Sequence, residues 1–288
     1  MAKRLTSKEV VAAMKESLSK RVEALRACGV VPTLALVRLG ARPDDLSYER
    51  TAIKRATSLG VDVKPYVLDD FAPQVALETT LQGINHDAQV HGCLLFRPLP
   101  SYIDENQVCN VLAAQKDIDG ISLASLAAVF TDGHAGYPPC TAQACLTMLD
   151  HYDIPIAGKH VVVVGRSLVI GKPVSMMLLK RNASVTICHS RTENLSAITR
   201  AADIVICATG RARAFGASFF SPGQTVLDVG INFDTHGVLC GDVDFDEVEP
   251  IVAAITPVPG GIGSVTTSVT MEHTIAAAEA AQKAAGVL

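Results

Sequence analysis

The chain has 288 residues, 49% of them hydrophobic and 19% charged, with a formal net charge of −4. That length exceeds one ordinary core and predicts two domains, with ample apolar material for both. The mildly acidic balance leaves no footprint for nucleic acid or an anionic membrane, and no run approaches the roughly eighteen apolar residues a span requires.

The opening stretch "MAKRLTSKEVVAAMKESLSKRVEAL" lacks the apolar core and cleavage site of a secretion signal and reads as an amphipathic surface helix, so a cytoplasmic protein is expected. Short β-rich runs then alternate with helical patterns, the signature of βαβ units and parallel sheets. In the first half the runs are 33–40, 62–68 and 90–98, with helices from about Ser47, Ala72 and Glu105 between them. In the helix carrying "LSYERTAIKRATSLGV", a residue four positions on lies about 40° round and one six positions on about 120° round. Ala52 therefore lies beneath Tyr48, and Lys54 points elsewhere. The proline-rich segment 136–142 marks the hinge between halves. The second half continues with strands at 159–165, 183–189, 202–210, 224–230 and 253–258, and a final alanine-rich helix follows a glycine loop. The expected fold is thus two α/β domains, the second a parallel-sheet dinucleotide-binding unit.

Eight cysteines raise the question of disulfides or zinc. Cys93, Cys188 and Cys207 sit in strand-like runs, no C-x-x-C pair occurs, and Cys140 and Cys145 are too isolated for a zinc site. Buried reduced thiols and no metal are expected.

"VVVVGRSLVIGKP" is a buried strand entering a glycine turn and then a helix, with Pro173 tolerable in the first turn. Free N–H groups at such a helix start suit a phosphate. The spacing Gly165-x-Ser167-x-x-x-Gly171 departs from the regular G-x-G-x-x-G fingerprint, so the turn alone is equally a plain tight turn. The next strand ends "ICHSRT", with Ser190 and Arg191 where an NAD site would place a carboxylate, and Arg166 adds a second cation. Hydroxyl and guanidinium groups suit a 2′-phosphate, which makes NADP the expected cofactor over NAD.

Several segments together resemble one family over nearly the whole chain: the bifunctional methylenetetrahydrofolate dehydrogenase/cyclohydrolases of the FolD type. They are "KDIDG" (116–120), "PCTAQA" (139–144), "VVVVGRSLVIGKPVSMMLL" (161–179), "ASVTICHS" (183–190), "DVGIN" (228–232), "GDVDFDEV" (241–248) and "TPVPGGIGSVT" (256–266). The resemblance implies a folate-binding catalytic domain over 1–138, completed by a C-terminal helix at 268–288, and an NADP-binding domain over 139–267. It also implies a cleft between the domains where folate meets the nicotinamide, and a homodimer formed through the cofactor domain. For the dinucleotide it points to Gly165, Arg166, Ser167, Gly171, Ser190, Arg191 and Ile231. For the folate it points to Tyr48, Leu99, Asp119, Pro259, Gly260 and Gly261, with Tyr48 stacking on the substrate and Asp119 reading the pterin as the surviving catalytic-site pair.

The departures from the family pattern carry the functional expectation. The family's catalytic lysine falls at Ala52, and the glutamine of its "VQLPLP" loop falls at Phe96 of "LFRPLP". Asp45 replaces a serine three residues before Tyr48, and is either a substitute acid–base group or a helix-start carboxylate favoured by the dipole. Dehydrogenation moves a hydride and needs mainly orientation, whereas hydrolysis of the methenyl product needs a positioned acid–base group. An NADP-dependent dehydrogenase that has lost cyclohydrolase activity is therefore expected. The rivals are a bifunctional enzyme using another residue, a non-catalytic folate- or nucleotide-binding paralogue, and a dehydrogenase acting on a modified pterin.

Overall fold

The computed structural model describes residues 2–284. In chain order it contains β1 (Lys3–Arg4), α1 (Ser7–Ala27), β2 (Thr33–Leu39), α2 (Pro43–Leu59), β3 (Asp62–Leu68), α3 (Gln74–His86) and β4 (Gly92–Leu95). There follow α4 (Glu105–Cys109), α5 (Leu123–Thr131), α6 (Cys140–His151), β5 (His160–Val164), α7 (Gly171–Lys180), β6 (Ser184–Cys188) and α8 (Leu195–Arg200). The chain ends with β7 (Ile204–Cys207), β8 (Thr225–Asp228), β9 (Asn232–Phe233), β10 (Leu239–Cys240), α9 (Phe245–Val248), β11 (Ala254–Ile255) and α10 (Ile262–Ala284). Two compact α/β units result. One comprises Ala13–Cys140 and the chain from Thr267 onward; the other comprises the chain up to Ala12 and Thr141–Thr266.

The first unit is built on a parallel sheet in the order β3-β2-β4. Strand side chains alternate between faces, and the core divides accordingly. Leu34, Leu36, Leu94 and Phe96 join Ala52, Ala56, Leu59, Met271 and Ile275 in one cluster, while Ala35, Val37, Leu39, Cys93 and Leu95 join Leu77, Leu81 and Ile84 in another. Helices α1, α2 and α10 thus pack on one face, and α3 and α4 on the other. Helix α2 starts with Pro43 in its first turn and Asp44 and Asp45 nearby, and stops at Gly60, whose left-handed φ of 77° lets its N–H cap the last turn.

The second unit carries a six-stranded sheet, ordered β1-β11-β8-β7-β5-β6, with every pairing parallel. Strand order reverses at β5, which has β6 on one side and β7 on the other, so the carboxyl end of β5 is the topological switch point of a Rossmann-type sheet. Residues 2–12, expected in the folate domain, belong to this second unit, because Lys3 and Arg4 pair with Ala254 and Ile255 at the sheet edge. All eight cysteines are free thiols, and Cys28 is the exposed one.

Candidate functional site

Two local periodicities build the centre of the first unit. On α2, Tyr48, Ala52 and Ala56 follow one another at four-residue spacing along the face turned to the sheet, and Ala52 and Ala56 are fully buried. Beyond β4, strand alternation sends Phe96 to the same face as Leu94, into the cluster that holds Ala52. Its ring meets Tyr48 edge-on, with centroids 5.9 Å apart and planes at 79°. The place beneath Tyr48 is therefore apolar and closed. Lys54 is exposed on another face of the helix. Asp45 is engaged by Arg42, whose Nε and Nη2 donate to its two oxygens at 2.7 and 3.1 Å.

Polar groups gather on the other side of Tyr48. Burial pushes the Tyr48 hydroxyl well above an ordinary phenol, the Asp119 carboxylate adds to the shift, and the Thr270 and Thr267 side chains oppose it. Thr270 donates from Oγ1 to Cys140 Sγ at 3.6 Å, and the Cys140 thiol donates to the Ile118 carbonyl at 3.1 Å. The backbone N–H of Cys140 donates to Asp119 Oδ1 at 3.4 Å, while Asp119 Oδ2 lies 4.0 Å from Arg97 Nη2. Burial raises the Asp119 pKa, and the Arg97 cation opposes it. His273 Nδ1 donates to the Ile118 carbonyl at 2.8 Å, and burial lowers this imidazole to about 4.

Leu99 is half-buried against the second core cluster, its N–H held by Glu105 Oε2 at 2.9 Å. Tyr48, Phe96, Ala52, Asp119 and Leu99 thus all belong to one unit. Sequence reasoning missed Arg97, Cys140, Thr270 and His273 as members of the same polar group. Cys140 stands inside the quoted "PCTA" motif, and Thr270 lies one helical turn after Thr266 of the glycine-loop motif.

In the second unit the turn after β5 is tight for identifiable reasons. Gly165 has φ 142°, and a Cβ there would collide with the Ala208 carbonyl that follows β7. At Gly171 it would collide with the Gly165 carbonyl. Helix α7 begins at this point with no side-chain cap hydrogen bond on its first turn. Ser167 Oγ accepts from Ile170 N at 3.2 Å within the turn. Arg166, Ser190 and Arg191 are exposed, and the two guanidinium groups have no ion-pair partner among the described residues. These residues fit an anionic dinucleotide: backbone that can approach closely and two exposed cations.

Ile231 is 67% exposed beyond the end of β8, and Pro259, Gly260 and Gly261 form the loop before α10. Gly260 adopts φ 99° and its carbonyl accepts from Ser7 N at 2.7 Å, so the loop is braced by the start of α1. At the end of β8, the buried Asp228 carboxylate takes the N–H groups of Gly230, Asp242 and Val243. Among the described residues no cluster of three or more His, Cys, Asp and Glu stands where a metal could be held.

Comparison with known proteins assigns both parts of the chain to one family. Residues 5–119 match the catalytic domain of tetrahydrofolate dehydrogenase/cyclohydrolase, and residues 139–282 match its NAD(P)-binding domain. The bifunctional protein FolD of Carboxydothermus hydrogenoformans is 49% identical over 281 residues, covering 97% of this chain and 98% of that one. Among solved structures, the bifunctional FolD of Campylobacter jejuni superposes with a TM-score of 0.95 at 33% identity, over 97% of this chain and 99% of that one. The Trypanosoma brucei enzyme, solved with NADP and an inhibitor, gives 0.91 at 31% identity, over 97% and 98% of the two chains. With both domain models matched and near-complete coverage by such relatives, this chain belongs to the tetrahydrofolate dehydrogenase/cyclohydrolase family.

Proposed function

We propose that this protein is an NADP-dependent 5,10-methylenetetrahydrofolate dehydrogenase whose cyclohydrolase activity has been lost. The observation that carries the second clause is the closed apolar contact beneath Tyr48, where Ala52 and Phe96 pack in one buried cluster. The family resemblance assigns a lysine and a glutamine to those positions. Bound NADP would supply the acceptor for a hydride from the substrate's methylene carbon. The chain's own task is then to bind and orient the substrate, with Tyr48 offering a ring for stacking and Asp119 an acceptor for the pterin's N–H groups. Hydrolysis of the methenyl product asks for more, because water must be activated and protons moved as the ring opens. A positioned acid–base group is worth about 10²–10⁴-fold, and an alanine methyl supplies none of it. Asp45 is a poor substitute because Arg42 already occupies both its oxygens.

The preference for NADP rests on Arg166 and Arg191, cations without an ion-pair partner among the described residues, beside hydroxyls and the α7 start. A paired assay tests the proposal. Methenyltetrahydrofolate and reduced cofactor are followed from methylenetetrahydrofolate with NADP and NAD in parallel, and methenyltetrahydrofolate hydrolysis is read separately against buffer. Dehydrogenation favouring NADP with hydrolysis at the buffer rate is expected. Enzymatic hydrolysis well above buffer would overturn the loss, and binding without turnover would favour a non-catalytic paralogue.

A further inference from the structure

Two aspartates two residues apart have different fates. Asp117 is fully buried and saturated: its oxygens accept from Ile121 N, Ser122 N and Ser125 Oγ at 2.9, 2.8 and 2.6 Å. That carboxylate holds the turn leading to α5 and has little left for a ligand. Asp119 accepts one long bond from Cys140 N, and its Oδ2 has Arg97 at 4.0 Å, beyond hydrogen-bond length. It keeps spare acceptor capacity in a place only partly open to water, with 24% of the side chain exposed, where a nearby cation favours the charged form.

Arg97 is placed to do so. It follows Phe96 directly, so strand alternation turns it away from the apolar cluster that takes the phenylalanine. Its Nη1 lies 3.3 Å from Glu105 Oε1, and the other Glu105 oxygen holds the N–H of Leu99, so one carboxylate on α4 anchors both the guanidinium and the loop that carries it. The side chain is 22% exposed, which leaves its charge little screened by water. The remaining titratable groups facing Asp119 are Tyr48 on α2, Cys109 on α4, Cys140 at the start of α6 and Asp117 on the same turn. None of them is a cation, so Arg97 is the one positive group set against this carboxylate among the described residues.

We propose that Arg97 is a positioning residue for the substrate: anchored by Glu105, it holds Asp119 as an anion, the form that accepts N–H donors from the pyrimidine edge of a reduced pterin. This rests on the reading of Asp119 as the pterin-binding carboxylate. A protonated Asp119 would present an O–H toward those donors and lose an acceptor. Arg97 therefore acts on binding, through Asp119, and leaves the hydride-transfer geometry alone.

The test compares the whole protein with Arg97→Leu and Arg97→Lys. Calorimetric titration with tetrahydrofolate between pH 5 and 8 gives affinity directly, and KM and kcat for methylenetetrahydrofolate are measured alongside. Arg97→Leu should weaken folate binding at least about tenfold at neutral pH, and should move the acid limb of the affinity profile toward higher pH. Its kcat should change far less than its KM, and its affinity for NADP should stay at the wild-type value, which also shows that the variant is folded. Arg97→Lys should restore most of the affinity and return the limb toward its wild-type position. An Arg97→Leu profile with an unmoved acid limb, whatever the affinity, would overturn the inference while leaving the dehydrogenase reading intact. A wild-type protein that binds NADP but no reduced folate would overturn both.

Discussion

Ala52 concentrates the functional argument into one methyl group. Because it is fully buried in a cluster with Phe96, Leu34 and Leu36, Ala52→Lys alone forces a long cation into packed apolar space. It should lower unfolding free energy by more than about 1–3 kcal/mol, read from the denaturation midpoint. Ala52→Lys with Phe96→Gln supplies both room and a polar neighbour, and should recover part of that stability together with hydrolysis above the buffer rate. A double variant that binds folate yet hydrolyses nothing would break the link between these two residues and the proposed loss of cyclohydrolase activity. His273 yields a pH prediction. Its folded pKa of about 4 lies below the ordinary 6.5, because burial disfavours the charged ring. The neutral imidazole's contribution is therefore complete above about pH 6.5 and is lost as pH falls toward 4. The stability difference between wild type and His273→Gln should shrink across that window, and a difference that stays constant would refute the assignment. Ala52 was legible beneath Tyr48 because the helix period fixes which way a side chain faces, and Phe96 was legible through the resemblance to the family's loop. Arg97, Thr270 and His273 were not, since their roles come from partners on separate elements that no local period connects.

The glycine turn between β5 and α7 works as a unit. Gly165 and Gly171 each stand against a backbone carbonyl, so an added Cβ cannot be relieved by rotating a side chain. Gly165→Ala or Gly171→Ala should weaken NADP binding more than about tenfold by displacing the turn from the dinucleotide, and folate binding by the other unit serves as the control for folding. Unchanged NADP affinity would show that the dinucleotide lies elsewhere. Replacing Arg166 and Arg191 together by alanine should cost NADP more than NAD, since the 2′-phosphate alone distinguishes them; equal losses would assign the arginines to the shared pyrophosphate. The strands from β2 to β8 could be read from their apolar runs, whereas β1 is two exposed charged residues with no pattern to read. Helix α2 starts at Pro43, ahead of the expected Ser47, because proline is well suited to a first turn. Helix α10 absorbs "SVTTSVT", a β-branched run that reads poorly as helix. Burial of Val265, Thr267, Val269 and Met271 outweighs that propensity, and Thr266 and Thr274 bond back to carbonyls four residues earlier.

On the scale of the molecule, the division into units falls inside helices. The boundary passes between Ala12 and Ala13 within α1, after Cys140 at the start of α6, and between Thr266 and Thr267 within α10. In α1 and α10 the helical hydrogen bonds run through those points, so each unit supplies the turn on which the other's helix continues. Met271, Ile275 and Ala278 of α10 are core residues of the folate-binding unit, yet the helix that carries them starts in the dinucleotide-binding unit. Melting one unit would then fray helices that the other needs, which argues for one cooperative transition despite two cores. Calorimetry should give a calorimetric enthalpy close to the van't Hoff value. NADP at about a hundred times its Kd contributes roughly 2.7 kcal/mol to the folded state, and in a coupled molecule that gain belongs to the whole chain. The entire transition should therefore move up by several degrees, including the loss of folate binding, although the proposed cofactor residues all lie in one unit. Two transitions, with NADP moving only one of them, would mean that α1 and α10 break at the boundary and that the units are thermodynamically separate.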